Sequence, residues 1–464
     1  MLNQSVTANQ NYLAKIVVLP EPRKHTNADR LQVFSIDFQN VITNLDYLAG
    51  DIVVYFPVES AINKDLISFI NGFEDKILNV DPLQKGFFNK HARVRAISLR
   101  GEKSQGFVLP IRIVESWLRL QLGSAYKPDG ITGMFGDNYR DIVGTEFDSY
   151  NDILVCKKYV PKFSRTPGIP GLKSDGKTVR ISRLVENQFR LHNDTDNLRK
   201  NADKIKPNDF IGIHYKKHGT SWVVGNVLVK KSLTWFEKLL LKFGVNIITE
   251  EYGPVYSSRK IVKNEFETKD HNHFYGYDLW ADIKDQIIEK IPNGYTLYGE
   301  YIGFDKNGKM IQKDFDYGCE PGNGKIYVYR ITVTNVNGQV LELDDNQIKQ
   351  FCDKSGLLYT DTFLFYGQAR DRYPHLEVDS HWNQNFIQML EADYNDKDCY
   401  MCTQNQVPEE GIIVRVQDLY DYKAYKLKSA RFLEKETKDL DAGIVDMETE
   451  ESAVNDKEEH EAAA

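Results

Sequence analysis

Short apolar runs with a two-residue period open the chain. LAKIVVLPEP from Leu13, RLQVFSIDF from Arg30, DIVVYFPV from Asp51, ARVRAISLR from Ala92 and GFVLPI from Gly106 are β-branched or aromatic stretches divided by turn residues, with one helical insert over Lys64–Phe73. Several short strands in succession predict a small β-barrel occupying residues 1–115. Residues 116–180 lose this periodicity and read as a connector. It is punctuated by KPDGITGMFGDNY and by PKFSRTPGIPGLKSDGK, which predicts a mobile or ligand-facing loop. From residue 181 to 433 strand-like runs alternate with helical spacing over Leu233–Phe243, Leu279–Ile291, Asp344–Lys354 and Trp382–Ala392, the last three behind polar caps. The pattern predicts one large α+β domain.

Charge changes this picture by its distribution. The 464 residues carry 59 Lys and Arg against 67 Asp and Glu, a net of −8, which alone argues against a nucleic-acid binder. Leu433–Ala464, however, holds twelve acids and three bases, so residues 1–432 are at +1. That last stretch has few aliphatic and no aromatic residues, and 434–464 is expected to be an acidic disordered tail. No apolar run approaches the roughly 20 residues of a membrane span, and the first residues lack a basic then apolar leader, so a cytoplasmic protein without membrane contact is expected. Five cysteines are too sparse for a disulfide framework and are expected to be reduced. A monomer is the default expectation.

The sharpest chemical signal is DFIGIHYKKHGTSWVVGNV. A strand over Asp209–Tyr215 runs into Lys216-Lys217-His218-Gly219 and then a second strand over Trp222–Val229, which puts a lysine at the mouth of a β-turn-β. Taken alone, the string is better explained as a solvated turn lysine. Downstream follow Arg259 in SSRK, Glu300 in YGEY, Tyr327 and Tyr329 in IYVYRI, Glu410 in EGIIVR, and Lys426 and Lys428 in YKLK, each in or at a β-type run. The two last lysines, two apart on a strand, share a face.

The order of these six strings resembles the collinear motifs of the covalent nucleotidyltransferase superfamily, the ATP-dependent ligases and mRNA-capping enzymes. KxHG, EGIIVR and a body that ends soon after the lysine pair are similar to RNA ligases that seal 3′-hydroxyl ends in nicked duplexes. The resemblance implies an α+β nucleotidyltransferase, an ATP-grasp-like ligase core of antiparallel sheets with helices, preceded by a small β-barrel OB-like domain. HTNADRL from His25 and SQGFV from Ser104 likewise resemble tRNA-binding-type OB domains. Lys15, Arg23, Lys24, Arg30, Lys90, Arg93, Arg95, Arg100 and Lys103 would supply its cations for RNA, or form an ordinary mixed-charge surface.

By that resemblance Lys216 is the nucleophile, forming a lysyl-AMP intermediate from ATP and passing AMP to a 5′-phosphate end that an RNA 3′-hydroxyl then attacks. His218, Gly219, Arg259, Glu300, Tyr329, Glu410, Lys426 and Lys428 are implied to bind the ATP. Glu300 would take the ribose hydroxyls, and Arg259 the ribose and RNA end. Tyr329, or else Tyr327, would stack on adenine, and Lys426 and Lys428 would neutralise phosphate. Glu410 would also hold Mg²⁺ or Mn²⁺, hard cations suited to a carboxylate. The chemistry needs a neutral lysine; at a pKa near 10.4 about one in a thousand is neutral at physiological pH, a handicap of roughly 4 kcal/mol. Gln188 is a candidate adenine contact, or part of a polar helix start. Cys399 and Cys402 form a lone CxxC, read as two reduced thiols or half of a zinc site. A DNA ligase, a GTP-using capping enzyme and a non-catalytic RNA-binding protein are the alternatives.

Overall fold

The computed structural model describes residues 2–5, 8–123, 138–161, 183–263, 275–360 and 363–444. The chain divides into two compact units, Met1–Val160 with Ala430–Ile444, and Pro161–Ser429 with Val445–Ala464.

In the first unit, strand Ile52–Pro57 lies between Gly106–Pro110 and Ala14–Val18, and the latter pairs on with Glu146–Phe147. Alternation sends Ile16, Val54, Phe56 and Leu109 into one core, and Val53, Tyr55 and Val108 into a second with Phe34 and Val41. The second core is roofed by the antiparallel strands Arg23–Lys24, Leu31–Ile36 and Gln39–Asn44. The strands expected to form a barrel are thus distributed over several small sheets, of which the largest has four strands. HTNADRL is a turn fastened to the Ile97–Ser104 hairpin: His25 Nε2 lies 3.0 Å from the Leu99 carbonyl, and Asn27 Nδ2 donates to that of Arg100 at 2.9 Å.

Two expectations change here. The connector begins as helix Ile111–Leu122, whose Val114, Trp117 and Leu118 at helical spacing fill the first core, and it stops at Gly123 with φ of 51°. Later connector residues, Glu146–Phe147 and Cys156–Lys158, pair with strands of the same unit. The stretch from 124 to 137 and most of the PKFSRTPGIPGLKSDGK loop lie outside the described residues. The acidic tail, expected to be unstructured from 434, is helical over Ala430–Asp441. Phe432 and Leu433 are buried, Leu433 against Val58 and Ala96, while Glu434–Lys438 at 2.9 Å and Lys435–Asp439 at 2.7 Å pair one turn apart. A count of charges conceals that amphipathic spacing. The helix also engages two arginines counted as cations for RNA: Arg93 donates to the Thr437 carbonyl and to Asp441, both at 2.9 Å, and Arg95 reaches Asp441 at 3.5 Å. Residues 445–464 lie outside the described residues.

The second unit is built on two sheets. One has five strands in the order Asp196–Asn197, Lys423–Lys428, Gly411–Val416, Phe210–Tyr215, Phe365–Gln368. The other runs Glu250–Ser257, Thr220–Lys230, Tyr295–Gly303, Gly324–Thr334, Val340–Glu342, with Leu358–Tyr359 added to Gly324–Thr334. One face of this second sheet, with Trp222, Val224, Leu297 and Val328, packs on helices Leu279–Ile287 and Asp345–Ser355 through Trp280, Ile283, Ile348 and Cys352. These helices and those at Trp235–Lys242 and Trp382–Tyr394 occupy the four segments of helical spacing. The other face meets the five-stranded sheet across a buried polar cluster. Arg415 donates to Asp345 at 2.9 Å and lies 3.8 Å from Glu342, which Arg330 grips; His214 Nε2 is 2.9 Å from Asp345. Among the described residues no helix is long and apolar enough to cross a membrane.

Candidate active site

Strand Phe210–Tyr215 ends where Lys216 N–H bonds the Gly411 carbonyl at 2.9 Å, so the lysine turn is tied to the start of the EGIIVR strand. Gly411 has φ of 140°, and a Cβ there would lie 2.0 Å from the Leu427 carbonyl oxygen, which is why the glutamate is followed by glycine. That junction brings Glu410 to the lysine. Lys216 Nζ lies 2.8 Å from Glu410 Oε1, and His218 Nδ1 is 3.7 Å from Glu410 Oε2. Glu410 is 3% exposed and its Oε2 accepts no hydrogen bond.

Past the turn, Gly219 lets backbone approach strand Tyr295–Gly303; a Cβ would meet the Tyr301 carbonyl oxygen at 2.4 Å. Glu300 takes Gly219 N–H at 3.1 Å and Ser221 Oγ at 3.2 Å. Register sets Ser221 opposite Glu300 and Glu300 opposite Tyr327, so the three share a sheet face. Lys216, His218, Gly219, Glu300 and Glu410 therefore lie around one turn. Lys428 pairs with Gly411 and Lys426 with Ile413; both lysines are half-buried on the face that carries Arg415, the face turned to the other sheet.

Arg259 and Tyr329 are held by a different stretch. Arg259 donates from Nε and a terminal nitrogen to Asp194 at 3.0 and 2.8 Å. Burial works to raise the Asp194 carboxyl, but the arginine outweighs it and holds the group below its ordinary value. Tyr329 OH lies 2.7 Å from His192 Nδ1, and Tyr298 OH donates to the Arg190 carbonyl at 3.1 Å. Strict alternation puts Tyr327 and Tyr329 on one face; the ladder slips here, with Arg330 opposite Tyr298 and Val328 opposite Gly299, so that Tyr329 falls in the slip, while Tyr327 faces Lys217. The Gln188 amide donates to the carbonyls of Asn335 and Val336 at 3.0 and 3.3 Å.

Sequence reasoning missed the shell behind the turn. Tyr317 OH accepts from His218 N–H at 2.7 Å, Phe315 packs edge-on against the His218 ring, and Gln312 donates to the Gly219 carbonyl at 2.7 Å. Lys217, 6% exposed, lies 5.4 to 6.0 Å from the ring centres of Tyr400, Tyr327 and Tyr317 and donates to Met401 Sδ at 3.0 Å. The two adjacent lysines are thus separated by environment: one faces Glu410 and the other is caged. Glu409 is buried, and burial, reinforced by Cys399 and only partly offset by Lys217, pushes its carboxyl up to about 8. These residues lie about a hundred or more positions from the lysines; apart from Tyr327, already named from its string, only Glu409, next to the motif glutamate, offered a signal.

A divalent cation fits Glu410 in one respect, the buried and unbonded Oε2. Among the described residues no three His, Cys, Asp or Glu gather to hold a metal. A single carboxylate is consistent with a cation of the Mg²⁺ type that keeps waters and phosphate oxygens as its other ligands.

No family model and no curated protein matches the chain. Among solved structures it is similar to an RNA ligase of Naegleria gruberi in two variant forms with AMP and Mn. One shows 16% identity over 91% of this chain and 98% of that chain at a TM-score of 0.50, the other 17% identity with the same coverage at 0.51. The likeness extends through both units and shows that the α+β fold of an RNA ligase is shared.

Proposed function

We propose that the protein is an ATP-dependent RNA ligase that works through a lysyl-AMP intermediate on Lys216. The observation that carries the reading is the ion pair of Lys216 with the buried Glu410, inside a turn whose next residues are bound by Glu300. The shared fold of an RNA ligase that holds AMP and Mn supports adenylate and a divalent metal as the ligands.

In this reading the Lys216 amine attacks the α-phosphorus of ATP. A nitrogen–phosphorus bond forms, the bond to pyrophosphate breaks, and the ammonium proton leaves as the amine becomes a nucleophile. Glu410 is the carboxylate beside that proton. Glu300 would turn from its N–H and hydroxyl donors toward the ribose. Lys426 and Lys428 would face the phosphates and offset charge that develops on the leaving group. Glu410 would hold a divalent cation, whose chemistry when bound would be further neutralisation of phosphate charge. An RNA 5′-phosphate oxygen then attacks the AMP phosphorus and releases Lys216; a 3′-hydroxyl attacks the resulting end and expels AMP. Tyr329 beside His192 is the aromatic surface offered to adenine, and Arg259 the cation near the RNA end. The first unit would hold the nicked duplex as an OB-like domain, with Lys15, Arg23 and Lys103 among its half-buried or exposed cations.

Incubation with ATP or GTP labelled at the α-phosphate, with Mg²⁺ or Mn²⁺, followed by denaturation tests the reading. Label from ATP on wild-type protein, and none on Lys216→Ala, is expected. Label from GTP alone would identify a capping-type enzyme, and an undiminished adduct on Lys216→Ala would remove the nucleophile assignment. Nicked duplexes with ribose or deoxyribose at the 3′ end then test RNA specificity; equal sealing would remove it.

A further inference from the structure

Outside the turn that carries Lys216, Cys399 and Cys402 are the one pair of cysteines that the fold brings together among the described residues. They stand two residues apart in one loop, near enough that each thiol shifts the other's titration, with Cys399 buried and Cys402 half-buried. Among the described residues no third ligand joins them. The loop around them is fixed on both sides. Cys399 N–H bonds the Val407 carbonyl at 2.8 Å and Glu409 N–H that of Lys397 at 2.8 Å. The Asp316 carboxylate, itself fully buried, takes Thr403 N–H and Oγ and Gln404 N–H at 2.9 to 3.1 Å.

The two residues between the cysteines both touch Lys217, the neighbour of Lys216. Tyr400 places its ring 5.4 Å from Lys217 Nζ, and Met401 Sδ accepts from the same nitrogen at 3.0 Å. Glu409 and Glu410 follow in the same loop, and Tyr400 N–H reaches Glu409 Oε1 at 3.3 Å. The spacing of the cysteines, their contact and their unequal exposure are those of a dithiol that an outside disulfide can reach.

We propose that Cys399 and Cys402 are a redox-active dithiol whose substrate is a small-molecule disulfide of the glutathione class, and that its oxidation turns off nucleotide transfer to Lys216. The second half rests on the ligase reading. The Cys402 thiolate attacks one sulfur of the incoming disulfide, forming a mixed disulfide and expelling one thiolate. Cys399 then loses its proton and attacks Cys402 sulfur, expelling the second. Two protein thiols are oxidised by two electrons, and the small disulfide is reduced to two thiols. Hydrogen bonding to Cys399 holds the Cys402 thiol below its ordinary value, consistent with its role as the attacking sulfur. Closing a sulfur–sulfur bond of about 2.05 Å with a torsion near 90° changes the path of Tyr400 and Met401. Since both ends of the loop are anchored, the change falls on the cage of Lys217 and the lysine turn.

The test uses the full chain equilibrated in glutathione disulfide and glutathione at graded ratios, quenched with N-ethylmaleimide and divided for two readouts. Peptide mass is expected to show the Cys399–Cys402 peptide passing from two maleimides to none. Cys156, Cys319 and Cys352 should remain alkylatable after denaturation. AMP-adduct formation from labelled ATP is expected to fall at least tenfold in step and to recover with dithiothreitol, while Cys399→Ser and Cys402→Ser keep their adduct under the same oxidant. Two maleimides at every ratio would overturn the dithiol, and a full disulfide with undiminished adduct would overturn the switch. A reduced protein that forms no adduct overturns the ligase reading instead, and leaves the dithiol to be decided by mass alone.

Discussion

At Gly219 the site depends on an absent side chain. Gly219→Ala places a methyl 2.4 Å from the Tyr301 carbonyl oxygen and 2.9 Å from Glu300 Cγ, and neither the strand backbone nor the buried glutamate can yield cheaply. We expect a loss of about 1–3 kcal/mol in urea unfolding, together with a weaker AMP adduct, because the displaced turn also carries Lys216. The adjacent acid pair separates into two chemistries. Glu410 is ion-paired with Lys216, whereas Glu409 is raised to about 8 from 4.5, so between those values the folded protein holds a proton that the unfolded chain has released. That contribution to stability is complete below pH 4.5 and fades as pH rises through 8. Unfolding of wild type and Glu409→Gln across pH 5 to 8 should show a fall in the first that the second lacks. The sequence named Glu410 from its string and left Glu409 unread, because which member of a Glu-Glu pair is desolvated depends on Cys399 and Lys217, brought in from outside the doublet.

Strands and helices were legible where one period sufficed. The four helical segments of the second unit and the lysine hairpin follow from spacing, and Asp344 caps its helix by a capping box with Gln347, whereas His381 gives Trp382–Tyr394 no side-chain cap. The slip between Tyr298 and Gly299, where Tyr329 falls, has no counterpart in the apolar pattern. Arg415 shows the same limit: its string points to a site, yet its guanidinium is 3% exposed and spent on Asp345 and the Leu343 carbonyl, about seventy residues earlier in the chain. Burial pushes Asp345 up, but His214 and Arg415 outweigh it and hold the carboxyl at about 2. Its stabilising contribution is therefore present above the ordinary carboxylate pKa of about 3.9 and is lost as pH falls toward 2. Arg415→Met leaves that carboxylate buried with His214 and the Gln417 amide but no guanidinium, for which we expect a loss of about 3–5 kcal/mol in urea unfolding at neutral pH. Adding Asp345→Asn to Arg415→Met should recover part of it, a coupling that a simple loss of arginine packing would not produce.

Across the whole chain the last 35 residues hold two functions that charge counting merged into one. Ala430–Asp441 belongs to the first unit, burying Phe432 and Leu433 and satisfying Arg93 through the Thr437 carbonyl and Asp441. Residues 445–464 carry eight acids and one lysine, and without them the net charge moves from −8 to −1. Two truncations separate these roles. Ending the chain after Ser429 uncovers Val58 and Ala96 and strips Arg93 of both acceptors, so the first unit is expected to melt earlier and to exchange its amide hydrogens faster over Ala92–Ala96. Ending it after Ile444 keeps the helix, and the melting temperature should not move. If the acidic segment competes with RNA for the cations of the body, that shorter truncation raises affinity for a nicked RNA duplex. The gain should be largest near 50 mM salt and nearly vanish by about 200 mM, since the screening length between exposed charges falls from roughly 14 Å to roughly 7 Å across that range. Equal affinities for the full chain and the Ile444 truncation at low salt would show that the segment does not regulate binding. A gain that persists at high salt would point to a direct contact on the RNA surface in place of screening-sensitive competition.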